Sequence, residues 1–462
     1  MTTAVYTLGC KLNQCESEAL ADAFHAQGNS IIHHSLPADL FVVNTCTVTS
    51  KAEQKARRMI RKFASMEHSP IILVTGCYAE MEPEELRSLK GTIIVIPLTL
   101  KPRILSLPSY IHDRMKMGFS LHESVHEWIN TIGQDENSDA EAFNYKTVTF
   151  LYHARAFLKI EDGCDNACAY CRVTLARGKA ISIDRDEAVS RALTLEKEGY
   201  REIVLTGVNI TAYHSRGEGL EGLLRVLLGK LKKAKIRLSS MEPDMITDEL
   251  IALCGHELIQ PHFHIPVQSG SNTVLASVNR FYTAETIKEC VSKLRSVKKD
   301  PFIAADIITG LPGESDQDAA QTFALLSECD FSQLHVFPFS PRPGTDLYKA
   351  EKKVTESLRD KRAAQLRNLS SELYFAYQNR WIGKEILVLL ENRKQEYWTG
   401  LSDNYLHLHI SGVPNSERDV YSIRGSLCRV KIIQDSLKNT ISGKFIEFVQ
   451  GFIGLDAVSA ID

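Results

Sequence analysis

Three cysteines fall within eight residues, Cys164-x3-Cys168-x2-Cys171. They follow a strand-like stretch at 157–160, so their thiolates can wrap one inorganic centre from a single loop. Iron–sulfur clusters are held by Cys thiolates, usually four of them, so three leave one iron of a cubane open to a substrate. Zinc is the competing reading. It would want a fourth ligand from a second C-x2-C or an H-x3–5-H pair, and no such pair follows Cys171. Inert cysteines that happen to fall close together are the third reading.

A second set is dispersed. Cys10, Cys46 and Cys77 each stand just past a strand-like stretch, at 4–8, 39–44 and 71–75. Helix-like stretches at 16–27 and 51–66 alternate with these strands, which predicts a parallel sheet. In an open parallel sheet all carboxyl ends share one edge, where ligands bind, so these three thiols can converge. Cys15 lies close enough to Cys10 to replace it as a ligand, but a buried structural thiol is the reading adopted, as for Cys254, Cys290, Cys329 and Cys428. His407 and His409 share a strand face and are read as solvated.

The chain that must position these groups has 462 residues, length for about three domains. The expected fold class is α/β. Residues 1–112 form the open parallel-sheet domain. Residues 113–149 read as a linker, announced by Pro102 and Pro108 and by the polar run 133–139. Residues 150–379 carry a longer βα rhythm, with strands at 156–160, 202–206, 236–239, 263–265, 303–308 and 333–337. Six such units predict a partial (β/α)6 barrel. Residues 380–450 change to short strands at 386–390, 405–410 and 444–449, a small β-barrel.

Lys+Arg is 54 and Asp+Glu 57, a net charge of −3, so no global basic excess marks a polyanion binder. Local patches remain: Lys51, Lys55, Arg57, Arg58, Arg61 and Lys62 stripe the helix after Cys46, and 380–450 holds ten Lys+Arg against eight Asp+Glu. A phosphate-facing surface and a plain solvated face both fit such stripes. Hydrophobic content of 44% and charged content of 24% argue against disorder and coiled-coil rods. No apolar run approaches the ~18 residues of a membrane span. Residues 1–10 lack a cationic stretch ahead of an apolar one, so no signal peptide is expected. With eleven cysteines, an odd number, these features predict a cytoplasmic protein without a disulfide framework or a membrane partner.

The string Gly163-Cys164-Asp165-Asn166-Ala167-Cys168-Ala169-Tyr170-Cys171 resembles the radical S-adenosylmethionine (SAM) motif. With the run 154–164, Ala176-Arg177-Gly178, the opening 7–17, Asn44-Thr45-Cys46 and Thr75-Gly76-Cys77-Tyr78-Ala79, the chain resembles the methylthiotransferase family over residues 4 to 450. The blocks 205–209, 239–243, 264–271, 306–314 and 337–345 resemble that family's barrel. The resemblance implies an enzyme with two [4Fe-4S] clusters and SAM. Cys164, Cys168 and Cys171 would hold the cluster that chelates SAM and cleaves it by one electron to a 5′-deoxyadenosyl radical. Cys10, Cys46 and Cys77 would hold an auxiliary cluster carrying the sulfur to be inserted. A first SAM methylates that sulfur, and a second generates the radical that opens an unactivated C–H bond, work beyond acid–base groups.

The strand ends of the barrel are expected to hold SAM. Ser240 and Glu242 would meet its amine or ribose, Arg280 its carboxylate, and backbone at Gly207 and Gly310 the rest. Tyr170 would stack near the adenine or pack against the barrel. The bland alternatives are a turn cap for Glu242 and a surface ion pair for Arg280. The C-terminal barrel falls where the family carries its TRAM domain, which contacts RNA or protein.

Three branches of the family modify threonylcarbamoyladenosine in tRNA, isopentenyladenosine in tRNA, or an aspartate of a ribosomal protein. The opening motif, the run before Cys164 and the block 335–340 resemble the first most closely. It methylthiolates C2 of the adenine beside the anticodon. Its partners would be the tRNA anticodon stem-loop, an electron-donor protein and a sulfur donor. A non-catalytic zinc- and RNA-binding protein is the reading from another class. The chain departs from the family at Arg172-Val173-Thr174-Leu175, at Lys179-Ala180-Ile181-Ser182 and at Pro97-Leu98. The first two departures leave the fine structure of the pocket open.

Overall fold

The computed structural model describes residues 1–132, 139–414, 423–435 and 440–450. The first unit is a five-stranded parallel sheet of β1 (Thr2–Thr7), β2 (Ser30–Ile31), β3 (Leu40–Thr45), β4 (Ile71–Gly76) and β5 (Thr92–Val95), in the order β2-β1-β3-β4-β5. Every residue of β3 and β4 is buried, as expected of strands covered on both faces. Their side chains alternate between two cores. Val42 and Leu73 join Leu20 and Phe24 of α1 (Lys11–Ala26), while Phe41, Val43 and Val74 join Ile60 and Phe63 of α2 (Ser50–Ala64).

The stretch expected to be a linker is structured over much of its length. Helices Leu107–Lys116 and Leu121–Ile132 pack Ile111, Val125 and Trp128 onto the α1 face of the sheet. Pro108 does not break its helix because it sits in the first turn, where a missing N–H costs nothing. The polar run 133–138 lies outside the described residues.

The second unit has β6 (Ala156–Lys159), a short hairpin-like pair β7 (Glu161–Asp162) and β8 (Ile181–Ser182), then β9 (Glu202–Thr206), β10 (Lys235–Leu238), β11 (His262–Gln268), β12 (Phe302–Thr309) and β13 (Gln333–Pro338). Two parallel three-stranded sheets, β6-β9-β10 and β11-β12-β13, are joined by bridges Ile236–Ile259 and Ser240–His264. The result is an open six-stranded partial barrel around one large apolar core.

The third unit is a closed barrel, in the order β14 (Glu385–Lys394), β15 (Tyr397–Ser402), β16 (His407–Ser411), β18 (Thr440–Gln450) and β17 (Leu427–Asp435). Strands β15 and β17 add to the three expected from the sequence. Among the described residues no helix is long and apolar enough to cross a membrane.

Candidate active site

All six cysteines of the two sets line one cavity of about 770 Å³ between the first sheet's carboxyl edge and the barrel's open mouth. Two glycines let the dispersed set close in. Gly9 has φ +103°, and a Cβ there would stand 2.7 Å from the Cys46 Cβ. Gly76 has φ +98°, and a Cβ would meet the Thr45 carbonyl oxygen at 2.3 Å. Asn13 ties the strand ends together, its Nδ2 donating to the carbonyls of Leu8 and Thr45 at 2.8 and 3.0 Å. Burial, with Cys10 and Cys77 nearby, pushes the Cys46 thiol up to about 12, and burial raises Cys77 although Arg177 opposes it.

The barrel set hangs on one loop. Cys164 N–H donates to the Gly178 carbonyl at 3.1 Å, and Gly163 (φ +79°) turns the chain where a Cβ would stand 2.0 Å from the Lys179 carbonyl oxygen. The departure at 179–182 is thus a main-chain contribution, since Ile181–Ser182 pairs with β7. Asn166 and Val173 N–H groups donate to the Cys164 and Cys171 sulfurs, each at 3.4 Å. Burial raises all three thiols, Cys164 to about 12 and Cys171 to about 11. Protonated thiols must release their protons to a metal, so a soft metal centre suits each set.

Arg177, which carries no assigned role in the sequence pattern, stands between the sets. Its Nε donates to the Cys77 sulfur at 3.3 Å. Its Nη atoms reach Asp162 at 2.8 Å, Glu16 at 3.1 Å and Asn13 at 2.7 Å. Lys101 and Lys159 complete this buried network on Glu16. Burial alone would raise the Glu16 carboxyl, but Arg177, Lys101 and Lys159 hold it well below the usual range. Arg172, at the first departure from the family pattern, is a second clamp between units. It is buried, with Nη1 3.2 Å from Thr47 Oγ1 and Nη2 2.5 Å from Glu82 Oε1, beside an Arg342–Glu53 pair.

Of the residues expected to bind SAM, Tyr170, Gly207, Ser240, Glu242 and Arg280 line the cavity. Arg280 and Glu242 form a buried pair at 2.8 Å, and Arg280 Nη2 donates to the Tyr170 hydroxyl at 3.0 Å. The pair is buried rather than on the surface, and the Glu242 side chain makes no capping bond to the turn after it. Burial raises the Glu242 carboxyl despite the Arg280 charge. Glu242 Oε2 and Arg280 Nε are buried without a hydrogen-bond partner in the protein. Gly207 lets Glu161 close in, since a Cβ there would stand 2.4 Å from Glu161 Oε2.

Gly310 does not reach the cavity lining. Its N–H donates to Glu314 at 2.6 Å, and a Cβ would collide with Arg359. Cys15 is buried, with its sulfur 3.7 Å from the Phe157 carbonyl, as a structural thiol should be. His264, Asp306 and His335 also line the cavity, and their potential ligand atoms lie within 4.8 Å of one another. His264 joins Asp306 Oδ1 at 2.8 Å and Ser240 Oγ at 3.0 Å. Sequence reasoning assigns these three no role; polar residues inside three successive apolar strands, β11, β12 and β13, are the signal that could have found them.

Comparison with known proteins gives two family matches, the uncharacterized protein family UPF0004 over residues 2–96 and the Radical SAM superfamily over 158–326. A curated relative from Treponema pallidum, the threonylcarbamoyladenosine tRNA methylthiotransferase MtaB, is 35% identical over 88% of this chain and 94% of its own length. The enzyme of that name from Bacillus subtilis is 33% identical over 97% of both chains. The tRNA-2-methylthio-N(6)-dimethylallyladenosine synthase of Zymomonas mobilis is 29% identical over 96% of both.

Proposed function

The chain belongs to the radical SAM methylthiotransferases, in the branch of the MtaB enzymes, and from that premise we propose that it methylthiolates C2 of N6-threonylcarbamoyladenosine beside the anticodon of tRNA. The observation that carries the reading is the meeting of two separate cysteine trios in one cavity, with Arg177 between them. Cys164, Cys168 and Cys171 would hold one [4Fe-4S] cluster, and Cys10, Cys46 and Cys77 the other. With SAM bound, these groups supply one-electron cleavage of SAM, a hydrogen-abstracting radical, and a sulfur that is methylated and inserted.

The chain's own residues bind and orient. Glu242 and Arg280, paired at the cavity wall, would set a carboxylate and a guanidinium against the charged amino-acid end of SAM. Tyr170 braces Arg280. Arg177 places a fixed positive charge against Cys77 and anchors it to Glu16 and Asp162, so the two trios keep a constant separation. Arg172 and Arg342 lock the first unit onto the barrel from the other side through Glu53.

The exposed cations Lys51, Lys55, Arg58, Arg61 and Lys62 on α2, and the C-terminal barrel, support a path for the RNA backbone. A reductant and a replenishing sulfur source are required from outside the chain. The test is anaerobic turnover of the reconstituted protein with SAM, dithionite and an anticodon stem-loop carrying the modified base, read as nucleosides by mass spectrometry. The 2-methylthio product is expected. Thiolation of a dimethylallyladenosine stem-loop or a ribosomal-protein aspartate instead would overturn the choice.

A further inference from the structure

Four Lys or Arg side chains line the cavity: Lys11, Arg155, Arg177 and Arg280. Three are committed. Arg155 pairs with Glu202 and Glu391 at 3.7 and 3.3 Å, Arg177 with Glu16 and Asp162, and Arg280 with Glu242. Among the described residues Lys11 has no hydrogen bond and no ion pair. It opens α1, next to Cys10, and its Nζ stands 5.7 Å from the centroid of the Tyr405 ring.

That ring is itself placed by an unusual backbone. Tyr405 has φ +68°, a conformation that an aromatic residue keeps only where its surroundings hold it. The surroundings are a stack on His262 at 3.9 Å between centroids and Arg237 Cζ at 5.2 Å over the same ring. The C-terminal barrel therefore furnishes a wall of the cavity directly beside the free ammonium. Arg155 and Arg237 repel the Lys11 ammonium and Glu202 and Asp306 attract it only from a distance, so an unpaired cation stands here at a cost that a ligand's negative charge in contact would offset.

Resting on the function proposed above, we infer that the Lys11 ammonium receives the carboxylate on the N6 substituent of the substrate base and sets the enzyme's preference for threonylcarbamoyladenosine. The dimethylallyl substituent named for the related enzymes carries no charge and offers Lys11 nothing. The methionyl carboxylate of SAM is the other carboxylate in the reaction. That one is assigned above to Arg280, which keeps its Glu242 partner and stands beside Tyr170 and within electrostatic reach of Cys168, whereas Lys11, with no carboxylate in contact, belongs to the Cys10 side.

The test uses the full-length reconstituted enzyme and two stem-loops, one with the free threonylcarbamoyl acid and one with its methyl ester. Wild type should bind the acid at least tenfold tighter and convert it to the 2-methylthio product. Lys11→Met should lose about 30-fold in affinity for the acid, the effect of truncating one partner of an enclosed charge pair, and should no longer prefer acid to ester. Lys11→Arg should retain a preference for the acid. If wild type thiolates the acid stem-loop and Lys11→Met still prefers acid over ester, the role of Lys11 is overturned while the function stands. A rise in the KM for SAM with the acid preference intact likewise overturns that role and assigns the lysine to SAM. If wild type leaves the acid stem-loop unmodified, the functional reading fails and the inference with it.

Discussion

Cys164, Cys168 and Cys171 share one loop, whereas Cys10, Cys46 and Cys77 come from three strand ends far apart in the chain. The loop set is shaped locally, by N–H groups two residues from their sulfurs and by the turn at Gly163. The dispersed set exists only once the sheet has formed, and Asn13, Gly9 and Gly76 hold its strand ends together. Burial differs too: the dispersed set mixes buried Cys46 and Cys77 with exposed Cys10, while all three loop cysteines are partly accessible. A local site can be built by a short peptide; a dispersed site inherits the stability of the whole domain. Arg177 couples the two, since it leaves the loop of one set and touches a sulfur of the other.

The largest effects should separate the sets by chemistry. Cys164→Ala is expected to abolish both SAM cleavage and methylthiolation. Cys46→Ala is expected to keep SAM cleavage, read as 5′-deoxyadenosine, and to lose methylthiolation below detection. Methylthio product from Cys46→Ala would break the division of labour.

Next is the coupling. Arg177→Leu removes a fully enclosed cation from Glu16 and Asp162, which should cost about 3 kcal/mol of stability. Denaturant titration checks this, and iron should be lost from the dispersed site more than from the loop site. Arg177→Lys should recover part of both.

Arg172→Ala should be milder, about 2 kcal/mol, because Arg342 still holds Glu53. Its signature is faster hydrogen exchange where α2 meets the barrel, with no change in the exchange of the barrel's central strands. The smallest effect is expected of Cys15→Ala, about 1 kcal/mol for a small packing defect, with iron content unchanged. Iron loss in that variant would place Cys15 among the ligands.

How much of the molecule is legible in the sequence follows the same contrast. The loop trio is legible from spacing alone, and the dispersed trio from its position after successive apolar runs, because a parallel sheet puts those ends on one edge. The six barrel strands are legible for the same reason, as near-continuous apolar segments at a regular period. Arg177 and Lys11 are visible as letters but not as groups with roles, since what matters is which carboxylates stand opposite them across units far apart in sequence. Gly310 shows the limit of such reading, because a glycine at a strand end signals a special backbone without saying whether a ligand or a neighbour such as Arg359 uses the space. The helix at 107–116 is hidden by Pro102 and Pro108, whose positions in a 3-10 segment and in a first turn are harmless.

The central claim is that each trio holds its own cluster, and iron and sulfide counting with electron paramagnetic resonance on anaerobically reconstituted protein tests it most directly. Wild type should carry about eight irons, and the Cys10/Cys46/Cys77→Ala and Cys164/Cys168/Cys171→Ala variants about four each, with distinct reduced-cluster signals. Zinc without iron in the wild type, or one triple variant that keeps all its iron, would contradict it.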